Sequence, residues 1–201
     1  MILFPALPVR NRNIAAVFVQ KAFGDEECEQ IRAGCADAAW EEGMVGGHRS
    51  AGQFAVAPER RHVLQQRLPV GNAGYPLNRL CLAVSNANAE YWNFDLTGFV
   101  ADDPPWVMKY TADRHDHYDW HIDVGQSVNA SRKLGFTLQL SAGDEYEGGD
   151  LEFFNLRLDR AQVRQKGAFI VFPAFRTHRV APLIAGTRWA AVGWLHGPTF
   201  R

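Results

Sequence analysis

The segment HDHYDWHID, residues 115–123, carries three histidines and three aspartates within nine residues. Imidazole and carboxylate groups at this density are typical of a metal site. In a β-strand, residues i and i+2 point the same way, so a His-x-Asp pair can approach one ion from one side. The segment contains two such pairs of equal strand parity, His117-x-Asp119 and His121-x-Asp123. A third ligand has to come from another strand.

Two histidines lie downstream of this segment. In GAFIVFPAFRTHRVAP an apolar strand ends at Pro173, a short bend follows, and His178 begins the next strand, where a ligand can face the mouth of a cavity. His196 follows the last apolar strand without a carboxylate nearby, which is typical of a hydrogen-bonded histidine at a strand end. Between them, Arg188 in GTRWAAVGW lies on a predicted interior strand, and a buried guanidinium requires an anionic partner.

Two histidines and one carboxylate on one side of an ion leave three coordination positions open. That set is typical of non-haem Fe(II) sites, where a cosubstrate and O₂ must both reach the metal. A structural zinc site would close its fourth position, usually with cysteine, and no cysteine lies near these residues. A buried arginine close by supplies a two-point partner for a carboxylate-bearing ligand. His115 and His117 are interpreted as part of a solvated loop or as contacts at the mouth of the pocket.

The elements that must position these residues change in character at Asn93. After it, eight short apolar or alternating runs are separated by Gly, Pro, Asp and Asn, which predicts an antiparallel sandwich or jelly roll. Before it, the pattern predicts a strand over 14–20, a helix over 24–43, a loop or an edge strand over 44–60, and a helix over 75–92. The predicted fold class is mainly β with N-terminal helices.

Length and composition fit one domain spanning residues 1–201, with a helical support region over 1–92 and a jelly-roll catalytic core over 93–201. The formal net charge of −1 gives no basic field for nucleic acid or an anionic membrane. No apolar run approaches the roughly 18 residues of a membrane span. No signal peptide is recognised and the three cysteines fit free thiols of the core, so a cytoplasmic location is expected.

The combination of HID, His178 and Arg188 resembles the 2-oxoglutarate- and Fe(II)-dependent oxygenases, and within them the prolyl 4-hydroxylase-like branch with its PKHD-type hydroxylases. The similarity extends over residues 106–201 and includes VMKYTADRHDHYDWHID, RKLGFTLQLS, DEYEGGDLEFF and GAFIVFPAFRTHRVAPLIAGTRWAAVGW. An HxD pair alone is weak evidence, but together with the GGDL turn and the FP-x₄-H segment the set is specific. The resemblance implies a double-stranded β-helix, or jelly roll.

By position, the resemblance also implies roles for individual residues. Arg188 would bind the far carboxylate of 2-oxoglutarate, and the hydroxyl of Tyr110 would share that carboxylate. Gln139 stands where many relatives have a second tyrosine, and its amide can still donate a hydrogen bond at the pocket floor. Trp194 matches an aromatic residue often found beside the iron. The implied iron ligands are His121, Asp123 and His178.

The implied cofactors are Fe(II), the cosubstrate 2-oxoglutarate and O₂, with ascorbate as an additional candidate. The implied reaction hydroxylates an unactivated C–H bond, with a prolyl residue of a peptide or protein as the expected substrate. A free amino acid, another small metabolite or an alkylated base is an alternative within the same chemistry, and the near-neutral charge argues against nucleic acid. A non-catalytic, cupin-like jelly roll that binds a metal or ligand is an alternative of a different class, but it leaves Arg188 without a purpose.

Overall fold

The computed structural model describes residues 14–35, 40–46 and 54–200. Within these ranges the chain forms three α-helices, which are α1 (Asp25–Gly34), α2 (Leu77–Tyr91) and α3 (Arg160–Arg164). The strands of the same ranges are, in chain order, β1 (Phe18–Lys21), β2 (Glu41–Glu42), β3 (Met44–Gly46), β4 (Phe54–Val56), β5 (Arg61–His62), β6 (Leu64–Arg67), β7 (Trp106–Thr111), β8 (His117–His121), β9 (Arg132–Gln139), β10 (Tyr146–Gly148), β11 (Leu151–Phe153), β12 (Ala168–Pro173), β13 (His178–Val180) and β14 (Leu183–His196).

The larger of the sheets has eight antiparallel strands. Seven follow the order β1–β12–β9–β14–β7–β6–β2, and β10 also pairs with β14. Strand β14 is the centre of this sheet, because it pairs with β9 along one edge and with β7 along the other. Arg188 on β14 lies directly opposite Tyr110 on β7, and Ala190 lies opposite Gln139 on β9. Arg188 is therefore fixed in the middle of the most extensively paired part of the fold.

A second sheet, in the order β11–β13–β8–β5, faces the large one. Met108 and Tyr110 of the large sheet share a buried apolar cluster with Leu151 and Val180 of the small sheet. Burial of this apolar surface between two antiparallel layers is what holds them face to face. The predicted double-stranded β-helix is confirmed.

The two long helices cover the outer face of the large sheet. Their buried positions recur at helical spacing, as the sequence predicts, and Cys28 and Cys35 are fully buried there. They pack against the strand residues that point away from the small sheet, which include Leu134, Phe136 and Leu138 of β9. The alternate residues of β9 are thereby left to face the space between the sheets.

The predicted helix over 24–43 is wrong in its second half. Helix α1 ends at Gly34, residues 36–39 lie outside the described ranges, and Glu41 already pairs with Gln65 in the large sheet. The ring of Trp40 packs edge-on against Trp189, with ring centroids 5.2 Å apart. This tertiary packing and strand pairing override the helical propensity of the local sequence.

The N-terminal half of the chain contributes more strand than its sequence pattern predicts. Strands β5 and β6 are short and polar, and β6 lies beside β7 in the large sheet. Within the predicted loop or edge strand over 44–60, β3 and β4 pair as an antiparallel hairpin, while residues 47–53 lie outside the described ranges. The other predicted helix is confirmed as α2. None of the helices within the described ranges combines the length and the apolar character that crossing a membrane requires.

Candidate metal centre

Three side chains from neighbouring strands meet at one end of the space between the sheets. His121 ends β8, Asp123 follows two residues later, and His178 begins β13, where it lies directly opposite His121. One ligand atom from each lies within 4.8 Å of the others. The Nε2 atoms of His121 and His178 lie 3.6 Å and 3.7 Å from the two carboxylate oxygens of Asp123. Donors bound to one ion at about 2.1 Å are roughly 3–3.5 Å apart, so small shifts would bring all three onto a metal.

A β-bulge determines which His-x-Asp pair enters this cluster. His178 pairs with His121 and Val180 pairs with Tyr118, so three steps along β8 match two steps along β13. The extra residue reverses the alternation of side chains. His117 therefore turns away from the cluster, and its ring nitrogens lie near backbone carbonyl oxygens of His115 and Glu59. The expectation that His117-x-Asp119 and His121-x-Asp123 have equal strand parity is therefore wrong.

Both imidazoles are oriented by hydrogen bonds to the backbone. Nδ1 of His121 lies 2.7 Å from the carbonyl oxygen of Asp119, and Nδ1 of His178 lies 2.8 Å from that of Arg176. A protonated Nδ1 that donates to a carbonyl leaves the lone pair of Nε2 free for a metal, which is the usual arrangement of metal-binding histidines. Burial, together with His178, lowers the pKa of His121 to about 3, so its imidazole is neutral at physiological pH.

Asp123 is ionised despite being buried. Burial alone would raise the pKa of this carboxyl group, but the side chains of His178, His121 and Arg132 and a hydrogen bond from Trp194 outweigh that effect and keep the pKa below its ordinary value. The backbone N–H of Asp123 donates to the carbonyl oxygen of Ala174 over 2.8 Å. The site thus offers one carboxylate and the Nε2 atoms of two imidazoles.

A buried ionic network supports the carboxylate from behind. The guanidinium of Arg132 donates two hydrogen bonds to Asp103, over 2.6 and 2.7 Å, and a third to the backbone carbonyl oxygen of Asp123 over 3.2 Å. It also lies over the ring of Trp194, 3.5 Å from the centroid. Nε2 of His196 lies 3.1 Å from the Asp103 carboxylate. The expectation that His196 has no carboxylate partner is therefore wrong, because the partner comes from a distant part of the chain.

Arg188 is buried beside Tyr110, with its Cζ atom 5.2 Å from the tyrosine ring centroid. Its exposed fraction is 1%, and two of its nitrogens, Nε and Nη2, have no hydrogen-bond partner within the described ranges. Gln139 is also 1% exposed, and its Oε1 atom likewise has no partner there. Burial raises the pKa of Tyr110, although Arg188 opposes the shift, so the phenol keeps its proton and can donate. Arg188 thus has no anionic partner among the described residues, although a buried guanidinium requires one.

A cavity of about 450 Å³ connects the three candidate ligands with the inner faces of both sheets. Its lining includes the three candidate ligands and Tyr110, together with apolar side chains from both layers, among them Met108, Leu151, Val180 and Val192. Arg60 and Arg61 lie at its wall, next to Met44 of the hairpin. Mostly apolar walls with a few polar groups are typical of small-molecule sites.

These residues fit an iron ion with 2-oxoglutarate. The donor set of two imidazoles and one carboxylate suits a divalent first-row metal and leaves positions for other ligands. The two unpartnered nitrogens of Arg188 match a carboxylate in a two-point contact. Residues 105–196 match the 2OG-Fe(II) oxygenase superfamily. The part of the chain that carries the three candidate ligands and Arg188 is therefore similar to that superfamily. Its members use Fe(II), 2-oxoglutarate and O₂.

Two proteins similar to this chain are hydroxylases by name. A PKHD-type hydroxylase of Synechococcus sp. strain CC9605 is 32% identical over 133 residues, which cover 60% of this chain and 56% of that protein. The matched part thus spans about half the length of that relative. A prolyl-4-hydroxylase of Pseudomonas putida superposes with a TM-score of 0.66 at 16% identity, covering 92% of this chain and 94% of that one.

A second solved structure adds a bound peptide to the comparison. A prolyl hydroxylase of Trichoplax adhaerens, in complex with a peptide fragment of a hypoxia-inducible factor, superposes with a TM-score of 0.70 at 15% identity. The alignment covers 92% of this chain and 84% of that one. At these identities the two structural likenesses establish the fold of this chain and no more.

The sequence predicts the residues of the HxD…H…R set, but it does not predict the residues that hold them in place. Asp103, Arg132 and Arg61 carry no motif, because each acts through partners that are distant in the sequence. Only the general rule that a buried charge requires a partner would have drawn attention to Arg132.

Proposed function

We propose that this protein is an Fe(II)- and 2-oxoglutarate-dependent dioxygenase that hydroxylates an unactivated C–H bond of a prolyl residue in a peptide or protein. One observation carries the proposal. A cluster of two histidines and one aspartate lies in the same cavity as Tyr110, and beside Tyr110 the guanidinium of Arg188 is buried without an anion among the described residues.

In this proposal, His121, Asp123 and His178 hold the metal. When bound, iron supplies the activation of O₂, a step for which protein side chains have no suitable group. In the overall reaction one oxygen atom of O₂ enters the product hydroxyl and the other enters succinate, while 2-oxoglutarate loses CO₂. Arg188 and Tyr110 orient the cosubstrate by donating to its far carboxylate.

Two features support a peptide as the substrate. Met44 of the hairpin and Arg60 line the cavity and are exposed, so they can contact a peptide beyond its reacting residue. The two structural neighbours described above are prolyl hydroxylases, and one of them was solved with a peptide bound. Charge does not favour nucleic acid, since the net charge of the chain is −1.

The test is iron-dependent turnover of 2-oxoglutarate. The purified protein is incubated with Fe(II), 2-oxoglutarate and a library of proline-containing peptides, and succinate and a gain of one oxygen atom in a peptide are measured. We expect both, and neither with Asp123→Ala. A parallel pool of free amino acids tests the small-molecule alternative. Absence of iron-dependent succinate under every condition would contradict the proposal.

A further inference from the structure

Arg61 lies at the wall of the cavity and is held there by contacts on several sides. Its guanidinium donates to the backbone carbonyl oxygen of Met44 over 2.6 Å and to Oε1 of Gln65 over 3.0 Å. A terminal nitrogen also lies 3.5 Å from the sulfur of Met108. A Cβ atom at position 43 would lie 2.6 Å from Cγ1 of Val63 and 2.9 Å from Nε of Arg61, so the backbone at Gly43 lies close against both side chains. The guanidinium has little freedom to move.

The held guanidinium contacts the ring of Tyr118. The Cζ atom of Arg61 lies 4.8 Å from the ring centroid of Tyr118, its direct strand partner between β5 and β8. A cation at this distance from an aromatic ring is attracted to it, and the attraction strengthens where water is excluded. The contact restrains the tyrosine ring.

The ring of Tyr118 is stacked on the candidate iron ligand His121. The ring centroids are 3.5 Å apart and the planes are inclined by 12°. The β-bulge in β8 makes this stacking possible, because residues three apart on a regular strand would face opposite sides. The imidazole of His121 is thus oriented by Asp119 at Nδ1 and by Tyr118 across its plane.

We propose that Arg61 is a positioning residue of the metal centre, which holds the ring of Tyr118 against the imidazole of His121. This inference rests on the proposed function, since it assigns Arg61 a role at the same metal. Arg61 does not touch the metal, and it acts through Tyr118. The role differs from that of Arg132, which supports Asp123 from the other side of the cluster.

The test is titration of the protein with Co(II), whose visible absorption reports the coordination geometry independently of turnover. Replacement of partners that orient a metal-binding histidine weakens metal affinity by 10–100-fold as a rough range. We therefore expect Arg61→Gln to bind Co(II) about tenfold more weakly than the wild type, with an altered spectrum. Arg61→Lys keeps a cation for the ring and should stay within about twofold. Arg67→Gln, at an exposed arginine on β6, is the matched control and should behave as the wild type.

The outcomes distinguish a failure of the proposed function from a failure of the proposed role of Arg61. If the wild type binds no Co(II) and no Fe(II), the proposed function fails. If the wild type binds and Arg61→Gln binds equally well with the same spectrum, or Arg61→Lys loses as much as Arg61→Gln, only the role of Arg61 is overturned. Gln65→Leu removes a hydrogen-bond partner of the guanidinium and keeps its charge, and it should repeat the spectral change if Arg61→Gln fails to fold.

Discussion

Gly135 on β9 lies directly beneath the carboxylate of Asp123. A Cβ atom at position 135 would lie 3.0 Å from Oδ2 of Asp123 and also 3.0 Å from Cε2 of Phe172. The space above the Cα atom of Gly135 is bounded on one side by Asp123 and on the other by the ring of Phe172. That ring packs against His178, with ring centroids 4.6 Å apart. Glycine is therefore required here for space, although its backbone is an ordinary strand.

We expect Gly135→Ala to weaken metal binding by about tenfold, because the added methyl group would push the carboxylate out of position. Isothermal titration with Mn(II) or Co(II) measures the effect. Gly71→Ala is the matched control, since the nearest atom to its new Cβ would be 3.8 Å away. Equal affinities of Gly135→Ala and the wild type would show that Asp123 is not a ligand or that the pocket yields easily.

The second prediction concerns Arg188. Replacement by methionine should weaken binding of 2-oxoglutarate by roughly 100-fold, because two hydrogen bonds to a charged group are lost. Metal binding should be unchanged. Without cosubstrate, Arg188→Met should melt at a higher temperature than the wild type, because an uncompensated buried charge is removed.

Thermal unfolding with Mn(II), with and without 2-oxoglutarate, measures both effects of Arg188→Met. The cosubstrate should raise the melting temperature of the wild type but not that of the variant. Arg179→Met is the control, since Arg179 pairs with Glu152 away from the cavity over 2.7 Å. A variant that is still stabilised by 2-oxoglutarate would remove Arg188 from the cosubstrate site.

The third prediction concerns the pH dependence of stability. Burial would raise the pKa of Asp103, but hydrogen bonds from His196 and Arg132 outweigh it and lower the pKa below the ordinary value. The stabilisation is therefore complete above the unfolded-state pKa of about 3.9 and is lost as the pH falls through the lower folded-state pKa. At neutral pH, Asp103→Asn should lower the free energy of unfolding by about 3 kcal/mol, because Arg132 is left buried without its anion.

Urea denaturation from neutral pH down to about pH 3 tests this prediction, and the difference between the wild type and Asp103→Asn should shrink on acidification. The exposed neighbour Asp102 provides the control Asp102→Asn, which should be neutral throughout. A difference that is independent of pH would mean that the ion pair is not its source.

The strands that carry the site were predictable because their side chains alternate or are continuously apolar. The runs that contain Val107, Phe136, Ile170 and Ala191 predict β7, β9, β12 and β14, and each is buried as expected. The candidate ligands could be predicted from residue type and spacing, because an open iron site requires imidazole and carboxylate groups.

The features of the fold and the site that the sequence does not predict depend on partners that are distant in the sequence. The bulge in β8 exists only in relation to β13, so the pattern of residues 115–123 could not show that His117 and His121 face different sides. The packing of Trp40 and the strand pairing of Glu41 depend on Trp189 and Gln65, which are both distant in the sequence. Polar strands such as β5 show no alternation, because they are stabilised by pairing and by the contacts of Arg61.

The last prediction concerns the cysteines. Burial raises the pKa of both Cys28 and Cys35 to about 11, so very little thiolate is present at mildly alkaline pH. Only the thiolate reacts with alkylating reagents. Cys81 on α2 is partly exposed, and all three cysteines are free. We therefore expect one thiol of the native protein to react quickly with iodoacetamide and all three to react after denaturation, as counted by mass spectrometry. Cys81→Ser should abolish the fast reaction, and rapid native labelling of Cys28 or Cys35 would show that the helices open away from the large sheet.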